Sequence, residues 1–344
     1  MAAGMTAAML TLLVVADQAP VAAASAAPAA WELASVQPAA CAETARTRFA
    51  DCQSFVVTWR LEQAPGNAPI GSATAAVTIS ENLGPGTREW SAHYTARFFE
   101  FQGEAGAGTT AMVAVDCRGD CAVVGTTASA EPVGEGSVIR GDIGFSSTTG
   151  SVSTSRQLIS LDVFHPAAVG NGTTSGDPHG ELGPVRCDDA VQNGLGARGR
   201  PGCIMEDFIP TFDINSSEFN VEPAPKHAAF VTAAQADPKT GGWGKVGSGK
   251  PLNREFLGSA AAQRKKRSHV CPPSWPRNPS EPGTPPGQRD SCDEYPFSST
   301  EQGVPEYAVT EHVPQADNSR GGTRLSEFYA KYHILDGDQF YVQP

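Results

Sequence analysis

The eight cysteines of this 344-residue chain fall into four pairs of close neighbours, and this spacing constrains the fold more than any other feature. Close pairs in an exported protein favour short loops closed by disulfides. Structural zinc is the alternative, but the sequence has no Cys-x-x-Cys pair and no histidine at ligand spacing beside the cysteines. We therefore expect four local disulfides, with the connectivity left open by the sequence. The pairs of neighbours are Cys41 and Cys52, Cys117 and Cys121, Cys187 and Cys203, and Cys271 and Cys292.

The first 30 residues are rich in alanine and contain one apolar run, residues 7–16, which small residues follow. The run is shorter than the roughly 20 residues that a membrane-spanning helix needs. This pattern is typical of a secretory signal peptide, although its start lacks basic residues; an alanine-rich leader is the alternative. We predict a signal peptide at residues 1–30 and a secreted, extracellular protein without membrane contact after cleavage.

Short runs of alternating apolar and polar residues recur between residues 41 and 162 and are separated by glycine-containing turns. Period-2 alternation with β-branched residues indicates antiparallel strands, and their regular spacing favours a sandwich. We predict an antiparallel β-sandwich-like domain at residues 31–175, then a linker and irregular disulfide-bonded segment at residues 176–250. The predicted strands include residues 54–59, 73–79, 91–99, 111–115 and 137–139.

Two stretches near the C-terminus carry the chemistry: residues 293–296 read Asp-Glu-Tyr-Pro, and residues 317–322 read Asp-Asn-Ser-Arg-Gly-Gly. Carboxylate and amide oxygens are the ligands that hard divalent cations prefer, and a guanidinium group can bind phosphate through two N–H groups. The set suits metal-assisted hydrolysis of phosphodiesters. Around it the patterns predict a strand at residues 305–313, a turn at 318–322, a helix at 323–333 and a closing strand at 339–342.

The net charge of −12 at first argues against a polyanionic partner, but basic and acidic residues are equally frequent from residue 244 onward. One strong basic run occurs there. Such a run can neutralise several phosphates and give salt-sensitive binding without sequence preference; solvated charge or a protease-sensitive loop is the alternative. The run consists of Arg264, Lys265, Lys266 and Arg267.

Residues 293–296, 317–322 and 335–342 resemble the motifs of the NucA/NucB family of secreted bacterial deoxyribonucleases, most clearly from residue 251 to the end. The resemblance implies a small ββα-metal-type nuclease domain at residues 251–344, and hence an α+β chain. In this family a carboxylate takes the place of the usual histidine base. The resemblance also implies a divalent metal ion, Mg²⁺ or Mn²⁺, and DNA as partner.

The resemblance implies that Asp293 is the general base and that Glu294 is its partner, which either binds the metal or orients the water. Neighbouring side chains of an extended segment point to opposite faces, so only one of the two need enter the site. An exposed acidic pair in a turn is the alternative.

Two further roles follow from the resemblance. Asn318 is expected to offer a neutral oxygen ligand at the head of the metal-binding helix, and Glu327 is expected to add a carboxylate from the same face about two turns later. Arg320 is expected to grip the scissile phosphate. The alternatives are an N-cap or turn residue for Asn318, a solvated helix residue for Glu327 and a surface arginine for Arg320.

These observations predict a secreted, metal-dependent endodeoxyribonuclease that hydrolyses extracellular DNA through contacts to its backbone and therefore without sequence preference. Two other hypotheses remain. One is a nuclease toxin with an N-terminal delivery module and an inhibitor protein that neutralises it, and the other is a non-catalytic extracellular binding protein.

Overall fold

The computed structural model describes Cys41 and residues 46–63, 68–84, 86–106, 108–125, 129–148, 152–164, 179–189, 200–272 and 290–344. All of these residues belong to one compact unit, residues 37–344. The predicted signal peptide at residues 1–30 lies outside the described residues. Within the described part of the chain, no helix is both long enough and apolar enough to cross a membrane.

The described elements are sixteen strands and three α-helices. The strands are β1 (Ala50–Gln63), β2 (Ala68–Leu83), β3 (Glu89–Gly103), β4 (Thr110–Gly119), β5 (Cys121–Val124), β6 (Glu131–Pro132), β7 (Val138–Ser147), β8 (Ser153–Phe164), β9 (His179–Glu181), β10 (Val185–Asp188), β11 (Gly202–Met205), β12 (Thr211–Asp213), β13 (Leu252–Asn253), β14 (Asp290–Tyr295), β15 (Val309–Pro314) and β16 (Gln339–Gln343). The helices are α1 (Pro225–Ala236), α2 (Ala260–Val270) and α3 (Gln315–Lys331). The chain is therefore mostly β with a helical C-terminal part, in agreement with the α+β prediction.

Two antiparallel sheets occupy the N-terminal part. The first has the order β1-β2-β3-β7-β5, and the second has the order β11-β10-β8-β4-β6 with β9 beside β8. Alternate residues of β3 and β8 are buried, as period-2 patterning requires. Trp59 and Phe98 of the first sheet join one hydrophobic cluster with Ile159 and Leu161 of the second. Four of the five predicted strands lie within observed strands, and the fifth, at residues 137–139, begins one residue before β7.

The described residues of the segment predicted to be irregular include several regular elements, although much of residues 206–224 and 237–250 is irregular. The short strands β9, β10 and β11 join the second sheet, and α1 packs into the C-terminal core. Cys187 and Cys203 face each other across β10 and β11, so their disulfide fastens a strand pair too short for periodicity to reveal. The domain boundaries at residues 175 and 250 stay a prediction.

A second hydrophobic core holds the C-terminal part together. It includes Phe212 of β12, Phe328 of α3 and Phe340 of β16, and β16 pairs in parallel with β12 and antiparallel with β13. Strands β14 and β15 form a separate antiparallel pair that leads directly into α3. This core therefore begins well before residue 251.

The turn predicted at residues 318–322 is wrong, because these residues lie within α3. Two adjacent glycines disfavour a helix by about 1 kcal/mol each relative to alanine. Burial of Leu325, Phe328 and Tyr329 on one side of the helix outweighs this propensity.

The four predicted disulfides are confirmed: Cys41–Cys52, Cys117–Cys121, Cys187–Cys203 and Cys271–Cys292. The last one ties the C-terminal end of α2 to β14. It thereby fixes the basic helix against the strand that carries the Asp-Glu-Tyr-Pro motif.

A buried ionic cluster joins the N-terminal part of the chain to the C-terminal part. Asp338 accepts two hydrogen bonds from Arg186, at 2.6 and 2.8 Å, and one from Arg48 at 3.1 Å. Arg186 and Arg48 are almost fully buried. Buried ion pairs therefore connect the N-terminal sheets to the C-terminal core.

Candidate active site

A cleft of about 440 Å³ opens between β14, α2 and α3. Its lining combines acidic, basic and amide side chains with two adjacent helical glycines, Gly321 and Gly322. The polar residues that line it include His227, Arg264, Arg267, Asp293, Glu294 and Asn318.

The two motif carboxylates both line this cleft, although the sequence required only one of them to do so. Both side chains are buried. The Asp293 Oδ1 atom accepts a hydrogen bond of 3.0 Å from the backbone N–H of Glu294. Burial raises the pKa of Glu294, the nearby Arg267 guanidinium opposes this shift, and the charge of Asp293 adds to it. The exposed acidic turn is therefore excluded for these two residues.

The basic run forms part of α2 and divides between two environments. Arg264 and Arg267, three residues apart on one helix face, line the cleft. Arg267 donates to Glu294 Oε2 at 3.1 Å and to the carbonyl of Cys292 at 2.7 Å. Lys266 instead pairs with Glu255, and Lys265 is exposed. Two of the four predicted phosphate-binding residues thus face the site.

Asn318 lies in the first turn of α3 and lines the cleft. Its Nδ2 group donates to Ser291 Oγ at 3.0 Å and to the Cys292 carbonyl at 2.9 Å, so both bonds attach it to β14. The opposite end of the amide, Oδ1, is the atom that can face a cation. Asn318 is a bridging residue of the strand-helix junction, not a cap, since the N-cap position of α3 is Pro314.

Residues 245–343 match the family model for deoxyribonuclease NucA/NucB. This part of the chain is a NucA/NucB-family deoxyribonuclease domain. Comparison with curated proteins and with solved structures gives no significant match for the chain. The family implies a hydrolase that acts on DNA, and the cleft lies within the matched residues except for His227.

Within the NucA/NucB domain, Glu327 does not lie beside Asn318. The two are nine positions apart on α3, which is 2.5 helical turns and places them on opposite faces. Glu327 lines a second cleft, of about 530 Å³, and accepts a 3.0 Å hydrogen bond from the backbone N–H of Asn220. The expectation of a shared face is therefore wrong.

Arg320 also turns away from the cleft. Its guanidinium pairs with Asp317 at 3.0 Å and with Glu222 at 3.4 Å, and it is not among the lining residues. Arg267 and Arg264 are the cations that the NucA/NucB cleft presents instead.

Sequence reasoning missed His227, which lies on α1 outside the matched segment. Its Nδ1 atom is 2.6 Å from Asp293 Oδ2, and both side chains are buried. The two residues are 66 positions apart, and a single histidine in an alanine-rich helix carries no motif. Only the packing of α1 against β14 and α3 brings them together.

Among the described residues, no group of three or more His, Cys, Asp or Glu side chains could hold a metal ion. Magnesium, however, is commonly bound through only one or two carboxylates together with water and substrate phosphates. Asn318 and Glu294 contribute hard oxygen donors to the same cleft, so the residues present fit such an ion. NucA/NucB nucleases are generally metal-dependent.

Proposed function

We propose that the protein is a secreted, metal-dependent endonuclease that hydrolyses phosphodiester bonds of extracellular DNA without sequence preference. One observation carries this proposal: a buried carboxylate, a strand-bound asparagine amide and two arginines meet in a single cleft of a NucA/NucB-family domain. Hydrolysis of a phosphodiester needs a base for the water and positive charge for the phosphate, and this cleft offers both.

In the proposed reaction, Asp293 accepts a proton from the attacking water. The water oxygen forms a bond to phosphorus, the bond to the leaving oxygen breaks, and the leaving oxygen takes a proton from solvent. The Asp293 carboxylate suits this task because hydrogen bonds to the Glu294 N–H and to His227 hold both of its oxygens.

A divalent cation, Mg²⁺ or Mn²⁺, would be held by Asn318 Oδ1 and Glu294, and when bound it neutralises charge on the phosphate and the leaving oxygen. Arg267 pairs with Glu294 and, as a lining residue, offers its remaining N–H groups to the cleft. The arrangement agrees with a ββα-metal-type site made of β14, β15 and α3.

The DNA contacts we propose are made by Arg264 and Arg267 to phosphate oxygens. Such contacts position the duplex without reading bases, which is why we expect no sequence preference. The two N-terminal sheets, which share one core, form the β-sandwich-like part in this proposal.

The test is cleavage of supercoiled plasmid by the oxidised, secreted protein in Mg²⁺, Mn²⁺ or EDTA. We expect nicking with either metal and none with EDTA, and we expect Asp293→Asn to lower the rate at least 100-fold, since a positioned base contributes about 10²–10⁴. Glu306→Gln, which changes an exposed carboxylate outside the cleft, is the matched control and should cleave normally. Intact plasmid in every metal condition, from folded protein, would leave only a binding role.

A further inference from the structure

His227 and Asp293 form a buried pair that joins two parts of the sequence. The histidine belongs to α1, before the matched residues 245–343, and the aspartate belongs to the Asp-Glu-Tyr-Pro strand. Only 3% of each residue is exposed. A contact of 2.6 Å between Nδ1 and Oδ2 is short for a nitrogen-oxygen hydrogen bond and is typical of one that involves a charged group.

The direction of this hydrogen bond follows from the chemistry of the two groups. An ionised carboxylate can only accept, so Nδ1 is the donor, and in the neutral ring Nε2 then carries the lone pair. Among the described residues Nε2 has no hydrogen-bond partner. The imidazole ring is therefore held at one polar atom only, and that atom contacts Asp293.

The rest of the ring is held by packing. Phe297 lies nearly parallel to it, with 6.0 Å between ring centroids and 21° between planes. On another side the ring lies against Gly321 of α3, where a methyl group would come within 2.6 Å of Cγ and 2.7 Å of Nε2. These contacts leave the imidazole little room to rotate.

We propose that His227 is a positioning residue for catalysis: its Nδ1–H group holds Asp293 Oδ2 and thereby fixes the rotation of the carboxylate that accepts the proton of water. This inference rests on the proposed function. The Glu294 N–H binds the other oxygen of Asp293, so the two donors together define the carboxylate plane. Residues upstream of the family segment would then complete the site.

A purely structural role is the competing explanation, and the chain provides two comparison pairs of the same kind. His333 Nδ1 lies 3.0 Å from Asp188 Oδ1 in a buried position away from the cleft, and His93 Nδ1 lies 2.9 Å from Asp142 Oδ1 on the surface. A structural histidine-aspartate contact should behave like one of these.

The experiment measures kcat and KM on a fluorogenic duplex with His227→Ala, His227→Asn, His333→Asn and His93→Asn in the full-length oxidised protein. Nδ2 of asparagine occupies nearly the place of Nδ1, so His227→Asn retains the donor. We expect His227→Ala to lower kcat about 10- to 100-fold with KM unchanged, since loss of a group that orients a reacting residue commonly costs that much. His227→Asn should recover at least half of this loss on a logarithmic scale. His333→Asn and His93→Asn should keep wild-type kcat per folded molecule.

A second pair of variants tests the same inference without removing the histidine. Gly321→Ala places a methyl group against the imidazole, whereas Ser319→Ala changes an exposed residue of the same helix that does not line the cleft, and both raise helix propensity. We expect Gly321→Ala to lower kcat and Ser319→Ala to leave it unchanged. This pair decides the matter if His227→Ala does not fold.

The outcomes separate the two proposals. An inactive wild-type protein would refute the nuclease function itself. An active wild type with unchanged kcat in folded His227→Ala, or with equal kcat in Gly321→Ala and Ser319→Ala, would refute the role of His227 alone. A loss in His227→Ala that His227→Asn does not recover would also overturn the positioning role.

Discussion

Removal of the charge of Asp338 should weaken the attachment of the sheets to the C-terminal core. The carboxylate accepts three hydrogen bonds from the guanidinium groups of Arg186 and Arg48, and a fourth, of 2.8 Å, from the N–H of Leu335. Burial alone would raise the pKa of Asp338, but the two arginines outweigh it and hold the pKa below its ordinary value. The carboxylate is thus ionised and stabilising at neutral pH.

The expected loss of unfolding free energy in Asp338→Asn follows from the two buried arginines that the substitution leaves without this carboxylate. Two buried guanidinium groups lose their shared negative partner, and loss of one member of a buried ion pair typically costs about 3–5 kcal/mol. Because the Asp338 side chain is 16% exposed, water replaces part of the interaction, and we expect about 3 kcal/mol. The contribution is present above the ordinary aspartate pKa and is lost only as the pH falls through the depressed value.

The assay is urea denaturation at pH 7, which gives the free energy of unfolding, and its repetition near pH 3. Asp142→Asn is the matched control, because it removes an exposed aspartate from a surface pair with His93 and should leave stability unchanged. If Asp338→Asn unfolds at the urea concentration of wild type, or if its effect is equally large near pH 3, the ionic cluster does not stabilise the fold as argued.

Two further predictions concern single charges. Burial raises the pKa of Glu81 to about 8, against the lowering effect of its hydrogen bond from Trp90. Folding therefore takes up a proton above pH 4.5, and the free energy of unfolding falls as the pH rises towards 8. Glu81→Gln should remove this slope and, in thermal or urea unfolding, stabilise the protein at pH 8 by at most about 5 kcal/mol. Arg267→Ala should weaken DNA binding by a similar factor for every sequence and reduce the slope of log K against log salt by about 1. Lys265→Ala, which changes an exposed residue of the same helix, should alter neither quantity. Equal slopes for the two variants in fluorescence-anisotropy titrations would contradict the phosphate contact of Arg267.

Local patterns were sufficient for much of the fold and for the centre of the site. The disulfides are close in sequence, and the long strands alternate over many residues, so both leave a local signal. The Asp-Glu-Tyr-Pro motif combines two carboxylates, an aromatic residue and a proline in four positions, which makes it recognisable in the sequence. Its two carboxylates do line the cleft. The shared face expected for Glu327 and Asn318 is wrong because the helical period separates the two residues by half a turn.

Other parts of the site depend on contacts between distant segments. Arg320 lies in the Asp-Asn-Ser-Arg-Gly-Gly motif, and only the folded structure shows that it pairs with Asp317 and Glu222 outside the cleft. His227 gives no local signal because its partner is 66 residues away. Tertiary packing also extends α3 through Gly321 and Gly322, against the propensity that predicted a turn there.

The ionic cluster bears on what the N-terminal sheets do. A delivery module that is released from a toxin would be expected to contact the nuclease through a small, polar surface that separates readily. Here Arg48 and Arg186 are buried and bind a carboxylate that lies between α3 and β16, and β12 and α1 add a strand and a helix to the C-terminal core. Separation would expose two guanidinium groups and leave Asp338 without its partners. This contact pattern favours sheets that remain attached to the nuclease while it cleaves DNA. The stability loss in Asp338→Asn therefore also tests whether the sheets and the nuclease form one stable unit.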